Sequence, residues 1–272
     1  MHGVKYCALG NDYWVIDSQI SNVLDPQTVR RICDRHWGLG ADGILWRHLI
    51  DTETFGLTIF NSDGSVAEIS GNGTSIFGQY LWDYNKTLGQ KQFSLETSKG
   101  KNIACEIKEN GIRIQLARAL FGNKYTYEVP QYLIEKYGVS KTLELYSVSL
   151  GNPHCVVPMK NLHKDFVFDL GPLLENDERF PQKTNVQFVQ YIPEEQRANA
   201  LIWERGSGYT LGSGSCACAV AFVFKLLYAN TTPVKICMPG GTLEISIDNS
   251  NFCSFTNFPK KVAEVTFELA SC

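Results

Sequence analysis

The chain has 272 residues, 44% of them hydrophobic and 19% charged, and a formal net charge of −3. That balance excludes general disorder, and the slight acidity leaves no electrostatic footprint for nucleic acid or an acidic membrane. A small polar metabolite is the expected partner, and the length suits one large domain or two small ones.

In chain order, the opening MHGVKYCALGNDYWVID lacks a basic stretch followed by an apolar one, so no signal peptide is expected. Asp25-Pro26 reads as an N-cap followed by a first-turn proline, with Val29, Ile32 and Cys33 at helical spacing and Gly38 as the stop. Residues 41–48 and 54–60 read as short strands. Ser70-Gly71-Asn72-Gly73 opens a helix with Ile76, Phe77, Tyr80, Leu81 and Tyr84 on one face. Residues 92–117 alternate in short runs around Gly100 and Asn110-Gly111, the pattern of strands and a hairpin. Residues 117–128 read as a junction. Residues 130–137 read as a short helix stopped at Gly138, and residues 146–157, 185–191 and 200–203 as strands. Ser213-Gly214-Ser215 opens a helix over residues 216–228 that is apolar nearly all round, as a helix buried on every side is. Residues 233–257 are strand-like, and the segment from Pro259 onward reads as a strand returning to the first half. Nine cysteines at irregular gaps, with no CxxC pair, form neither a disulfide framework nor a zinc site. With no apolar run long enough to cross a bilayer, no membrane span is expected, and a reducing cytoplasm fits best.

The chain repeats itself. Leu9-Gly10-Asn11 in the first half recurs as Leu150-Gly151-Asn152 in the second. Residues 41–45 find a matching pattern in 184–188. Nine residues separate Asn61 from Ser70, and nine separate Glu204 from Ser213. Three anchors in one order at nearly one offset imply two structurally similar halves. Each half runs a Gly-rich turn straight into a helix, where unpaired N–H groups and the helix dipole make an anion site. Ordinary N-capping explains one such serine; two at matching positions, each preceded by a polar group, point to a site. Arg205 is suited to hold a carboxylate bidentately. Asn11, Asn61, Asn152 and Asn185 stand at strand ends or turns and can read an amino-acid zwitterion through amide hydrogen bonds. His154 is a candidate for tuning a nearby acid or base.

The ordered set Leu9-Gly10-Asn11-Asp12, residues 38–43, Asn61-Ser62-Asp63-Gly64-Ser65, Gly71-Asn72-Gly73, Gly151-Asn152-Pro153-His154, Thr184-Asn185-Val186 and residues 203–208 resembles the diaminopimelate epimerase family. The resemblance implies an α+β fold of two pseudo-symmetric lobes, each a barrel-like sheet around a central helix, with the active site between them. The expected lobes are 1–118 with about 258–272, and 119–257. It implies interconversion of LL- and meso-diaminopimelate, a step toward lysine and peptidoglycan, by two-base proton transfer at the α-carbon without cofactor or metal. A homodimer is a further expectation. Carried over by position, Asn11, Asn61, Gly71, Asn72, Asn152, Asn185, Glu204, Arg205, Gly214 and Ser215 bind substrate. His154 and Glu204 tune the two catalytic groups.

One departure matters. The family's two catalytic cysteines correspond here to Ser70 and Ser213, a usual acidic residue to Tyr209, and a usual glycine to Cys216. A thiol near 8.5 is a far better base than an alcohol near water's ~15.7. Three readings stay open: engineered serines that trap an inactive form; serines activated by Glu204, His154, a water or an external carbonyl such as pyridoxal phosphate; or changed chemistry such as β-elimination. A broader amino-acid racemase, acting for example on glutamate, and a binding-only protein are the alternatives in function. An isomerase or dehydratase of proline derivatives is a weaker third, because Arg205 and the asparagines suit a substrate with a second polar end. Cys216, three residues past Ser213, is expected to point away from the site.

Overall fold

The computed structural model describes residues 1–17, 24–49, 54–109, 111–229 and 233–268. Asn110 of the expected hairpin turn and the last four residues lie outside them. Two compact units divide the chain, Met1–Gln115 with Thr256–Cys272, and Leu116–Phe255.

The first unit opens with β1 (His2–Ala8), β2 (Asn11–Ile16), α1 (Pro26–Cys33), β3 (Gly43–Leu49) and β4 (Thr54–Asn61). It continues through α2 (Gly71–Asp83), β5 (Gln92–Thr97), β6 (Asn102–Lys108) and the start of β7 (Gly111–Arg118). The second unit holds β8 (Leu120–Glu128), α3 (Gln131–Tyr137), β9 (Thr142–Ser149), β10 (Pro153–Pro158), α4 (Lys164–Glu175) and β11 (Asn185–Ile192). After these come β12 (Arg197–Glu204), β13 (Gly208–Thr210), α5 (Gly214–Tyr228), β14 (Val234–Met238), β15 (Gly241–Ile247) and β16 (Phe252–Asn257). Finally β17 (Lys260–Thr266) pairs antiparallel with β1, the return that the sequence led us to expect.

The two units repeat one ladder. In the first, β1 pairs antiparallel with β2, β2 parallel with β3, β3 antiparallel with β4, and β4 parallel with β5. In the second, β9, β10, β11, β12 and β14 pair with the same signs in the same order. The register matches too: Tyr13 faces Gly43 across the parallel pair of the first ladder, and His154 faces Asn185 in the second.

Each sheet is covered on both faces, so its middle strands read as continuous apolar runs rather than alternating ones. On one face lies the central helix. α5 is buried from Gly214 to Phe224 and touches β9, β10, β11, β12, β14 and β15, so the sheet wraps around it. α2 plays the same part in the first unit, with ten of its thirteen residues buried. The other face is closed by α1 over Trp14, Ile44, Trp46 and Phe60, and by α4 over Cys155, Val157, Val186 and Phe188.

Several elements differ from the sequence reading. The strand expected over 146–157 is two strands, β9 and β10, parted by the turn at Gly151, whose φ is 93. α1 ends at Cys33, not Gly38, because the Asp34 carboxylate accepts the N–H groups of His36 and Trp37 and turns the chain. Gly38 is still required, since a Cβ there would meet Arg31 O at 1.9 Å. The junction at 117–128 is the end of β7 followed by strand β8, which pairs with β9 apart from an irregularity between Phe121 and Lys124. Strand β8 is exposed on nearly every residue and therefore shows no apolar alternation. Helix α4 has no counterpart in the reading.

Candidate active site

Two helix N-termini carry the candidate groups, one in each lobe. Ser70 caps α2 with φ −138 and ψ 119, and Ser213 caps α5 with φ −145 and ψ 127. The extended backbone lets each hydroxyl fold back on the first turn. Ser70 Oγ accepts from Gly73 N at 3.0 Å, and Ser213 Oγ from Cys216 N at 3.5 Å. Neither helix has an acidic residue in its first turn, so the positive end of the dipole is left for a ligand.

In the N-terminal lobe, Asn72 is 2% exposed. Its Nδ2 donates to Asn11 Oδ1 at 2.6 Å, and its Oδ1 accepts from Asn257 at 3.3 Å. Asn11 donates in turn to Asp42 at 3.1 Å. Asp42 and Asp12 share Arg35, and Lys5 sits 2.7 Å from Asp12. These cations hold the Asp12 carboxyl below the usual carboxylate range against the cost of its burial. The loop from 10 to 12 is thereby pinned to the loop before β3. Gly10 reaches φ 84 in that turn, and Gly151 reaches 93 in its counterpart, a conformation that glycine adopts without Cβ strain. Asn61 Nδ2 bonds to Ser65 Oγ at 2.9 Å within its own turn, at the far end of β4.

In the C-terminal lobe, Ser213 Oγ lies 3.3 Å from Ser215 Oγ. His154 is wholly buried, and burial with the Arg205 cation lowers its pKa to about 3. With the amides oriented as they stand, Gln187 Nε2 donates to His154 Nδ1 at 3.2 Å, which leaves the ring proton on Nε2 for Asn152 Oδ1 at 2.9 Å. His154 is therefore a neutral ring that fixes the Asn152 amide. Gln187 Nε2 also reaches Cys216 Sγ at 3.2 Å, and burial pushes that thiol well up. The Cys216 thiol is buried, yet it also hydrogen-bonds the side chains of Ser213 and Ser215, so it stands at the helix terminus and does not point away from the site as its spacing suggested. Asn185 donates to Pro153 O at 2.9 Å and accepts from Arg205 N at 3.0 Å, tying the start of β11 to the turn after β12. Glu204 Oε1 accepts from Thr210 Oγ1 at 2.7 Å, and Arg205 Nη1 donates to Gln182 O at 3.2 Å.

Tyr209 stands opposite Trp203 across the β12–β13 pair. That is the face away from Glu204 and Thr210, and its ring lies 5.1 Å from Phe168 of α4. The tyrosine at this position builds packing against α4.

Sequence reasoning missed Tyr13, Gln187 and Glu175. Tyr13 OH lies 3.3 Å from Ser70 Oγ. Glu175, 6% exposed at the end of α4, accepts from Trp203 Nε1 at 2.7 Å and from Gly206 N at 3.0 Å. It thus fixes the turn that presents Glu204 and Arg205. The repeat offered a signal for this one, because the matching position of the first half holds Asp34, the residue that turns the chain after α1. Glu175→Ala removes the charged acceptor of two part-buried hydrogen bonds and is expected to cost about 2 kcal/mol. Urea unfolding measures it, and a loss below about 0.5 kcal/mol would contradict that role.

Among the described residues no cluster of three His, Cys, Asp or Glu side chains is placed to hold a metal ion. No described helix is long and apolar enough to cross a membrane.

Comparison with known proteins covers both helix termini. The diaminopimelate epimerase family model matches residues 3–120 and 146–256. Diaminopimelate epimerase 2 of Nostoc sp. is 36% identical over 271 residues, covering 96% of this chain and 93% of its own. The diaminopimelate epimerase of Methanococcus maripaludis strain C5 is 35% identical over 257 residues, covering 90% and 89%. A hydroxyproline epimerase structure from Agrobacterium vitis, with trans-4-hydroxy-L-proline bound, superposes with a TM-score of 0.75 at 10% identity, covering 97% and 91%. A PhzF-family protein from Bacillus anthracis superposes with a TM-score of 0.70 at 15% identity, covering 99% of each chain. The structural likenesses establish the fold, which is the two-lobed α+β fold of these proteins.

Proposed function

The chain is an isomerase of the diaminopimelate epimerase family, and from that premise we propose that it interconverts LL- and meso-diaminopimelate by removing and returning the α-proton. The observation that carries this reading is the pair of N-cap serines with matching backbone angles, each heading the central helix of its lobe. Ser70 and Ser213 are the proton-transfer groups. The first-turn residues Gly71, Asn72, Gly214 and Ser215 offer N–H groups to a carboxylate. Arg205 takes the second carboxylate, and Glu204, steadied by Thr210, takes an ammonium group. Asn11, Asn61, Asn152 and Asn185 supply amide contacts. His154 acts through Asn152 as a neutral ring rather than as a charge.

The reaction so written uses no cofactor. Conversion of LL-diaminopimelate is followed by chiral chromatography, in parallel with glutamate and 4-hydroxyproline, each with and without pyridoxal phosphate. Appearance of the meso form, without stimulation by pyridoxal phosphate, is the expected result. Equal conversion of glutamate widens the reading to a general amino-acid racemase. Dependence on pyridoxal phosphate replaces the unaided serines by an external carbonyl. Saturable binding with no conversion of any substrate leaves a binding protein and overturns the proposal.

A further inference from the structure

An alcohol alone is a poor base for an α-proton, so the surroundings of the two serines decide what they can do. The two lobes differ at one equivalent position. Tyr13 of β2 and His154 of β10 occupy matching positions in the repeat, and each faces the first residue of the neighbouring parallel strand. His154 is engaged by Asn152 and Gln187. Tyr13 instead brings its hydroxyl to 3.3 Å from Ser70 Oγ. That is long for a hydroxyl pair, but catalytic hydrogen bonds often tighten only once substrate is bound. Ser70 Oγ already accepts from Gly73 N, so its own proton is available to a second oxygen. The ring is held in place: Tyr13 is buried, and a Cβ on Gly43 would come within 2.8 Å of it and 2.2 Å of Phe60 O.

We propose that Tyr13 is the proton acceptor behind Ser70, so that phenol and alcohol work as a relay in the N-terminal lobe; the proposal rests on the epimerase reading above. The α-carbon C–H bond breaks, its electron pair stays on carbon, and its proton goes to Ser70 Oγ. The Ser70 hydroxyl proton passes to the Tyr13 phenolate in the same step. Ser70 stays neutral throughout, and the phenol later returns its proton to water. An ordinary phenol near 10 is ionised in about one molecule in 10³ at pH 7, against about one in 10⁹ for an alcohol near 15.7. The relay thus gains on the order of 10⁶ in available base. Tyr13 acts through Ser70 and is a positioning residue for it.

The test measures α-proton exchange of LL- and meso-diaminopimelate in D₂O by the full chain and by Tyr13→Phe, Ser70→Cys and Ser70→Cys/Tyr13→Phe, across pH 6–10. The relay predicts a rate that climbs with pH toward the phenol range in the unmodified chain. It also predicts a loss of at least about 100-fold in Tyr13→Phe and a loss at least tenfold smaller in the Ser70→Cys background, where a thiolate needs no phenolate. Equal losses in both backgrounds mark a packing role and overturn the proposal, as does a loss below threefold in the serine chain. Absence of exchange by the serine chain also overturns it. In that case exchange by Ser70→Cys/Ser213→Cys shows that the substrate reading stands, and silence there shows that it fails as well.

Discussion

Ser213→Cys is expected to raise the proton-transfer step at that residue by up to about 10⁵-fold, and Ser70→Cys to raise its own step by only about 30-fold. For Ser213, even a gap of about 5 units between alcohol and thiol is worth roughly 7 kcal/mol at 1.36 kcal/mol per unit. Stabilisation of an anion at a helix N-terminus, about 0.3–1 kcal/mol, does not close that gap. Of the described side chains hydrogen-bonded to Ser213, Ser215 is another alcohol, and burial keeps the Cys216 thiol protonated. On the relay proposed above, Ser70 already works with a phenol, a class of group that ordinarily titrates about 1.5 units above a thiol. Exchange rates of the two single variants, measured from each stereoisomer, check the asymmetry. Equal gains would contradict it.

The second large effect is on stability and comes from His154. Its folded pKa of about 3 lies below the ordinary 6.5. As pH falls through 6.5, the unfolded chain takes the proton and the folded chain does not. The unfolded state therefore binds more protons between 6.5 and about 3, and stability rises with pH across that window. Acid removes it: about 2 kcal/mol by pH 5, and about 4 kcal/mol by pH 3. The first part corresponds to a fall in Tm of about 4–8 °C. His48, also shifted down by burial, adds a slope of the same sign, so the quantity to read is the difference between the chain and His154→Gln. Restricting the scan to pH 5–7 keeps the lowered carboxyls of Asp12 and Asp17 out of it. A slope between pH 7 and 5 that is identical in both proteins would refute the assignment.

Much of the fold was legible because its signals are local. The all-round apolar run from 216 to 224 announced a buried helix, and it is one. Asp25, Ser70 and Ser213 cap helices as their side chains foretold. Helix α4 was hidden by Gly171 and Pro172, residues that ordinarily interrupt helices. Gly171 is there for packing, since a Cβ would come within 2.7 Å of Trp203. Strand β8 was hidden by exposure on nearly every residue. At the candidate site, the capping serines and the strand-end asparagines could be read from turn chemistry. Tyr13 and Gln187 could not, because their importance lies in partners 57 and 29 residues away, which only the folded sheet brings near; Glu175 had a signal only in the repeat, where it matches Asp34.

The most direct measurement is the proton NMR spectrum of LL-diaminopimelate in D₂O with the unmodified chain and with its Ser70→Ala/Ser213→Ala form. Loss of the α-proton signal with growth of the meso form, absent in the alanine form, is the predicted result. An α-proton signal that persists at saturating substrate would contradict it. So would exchange that survives with both alanines in place.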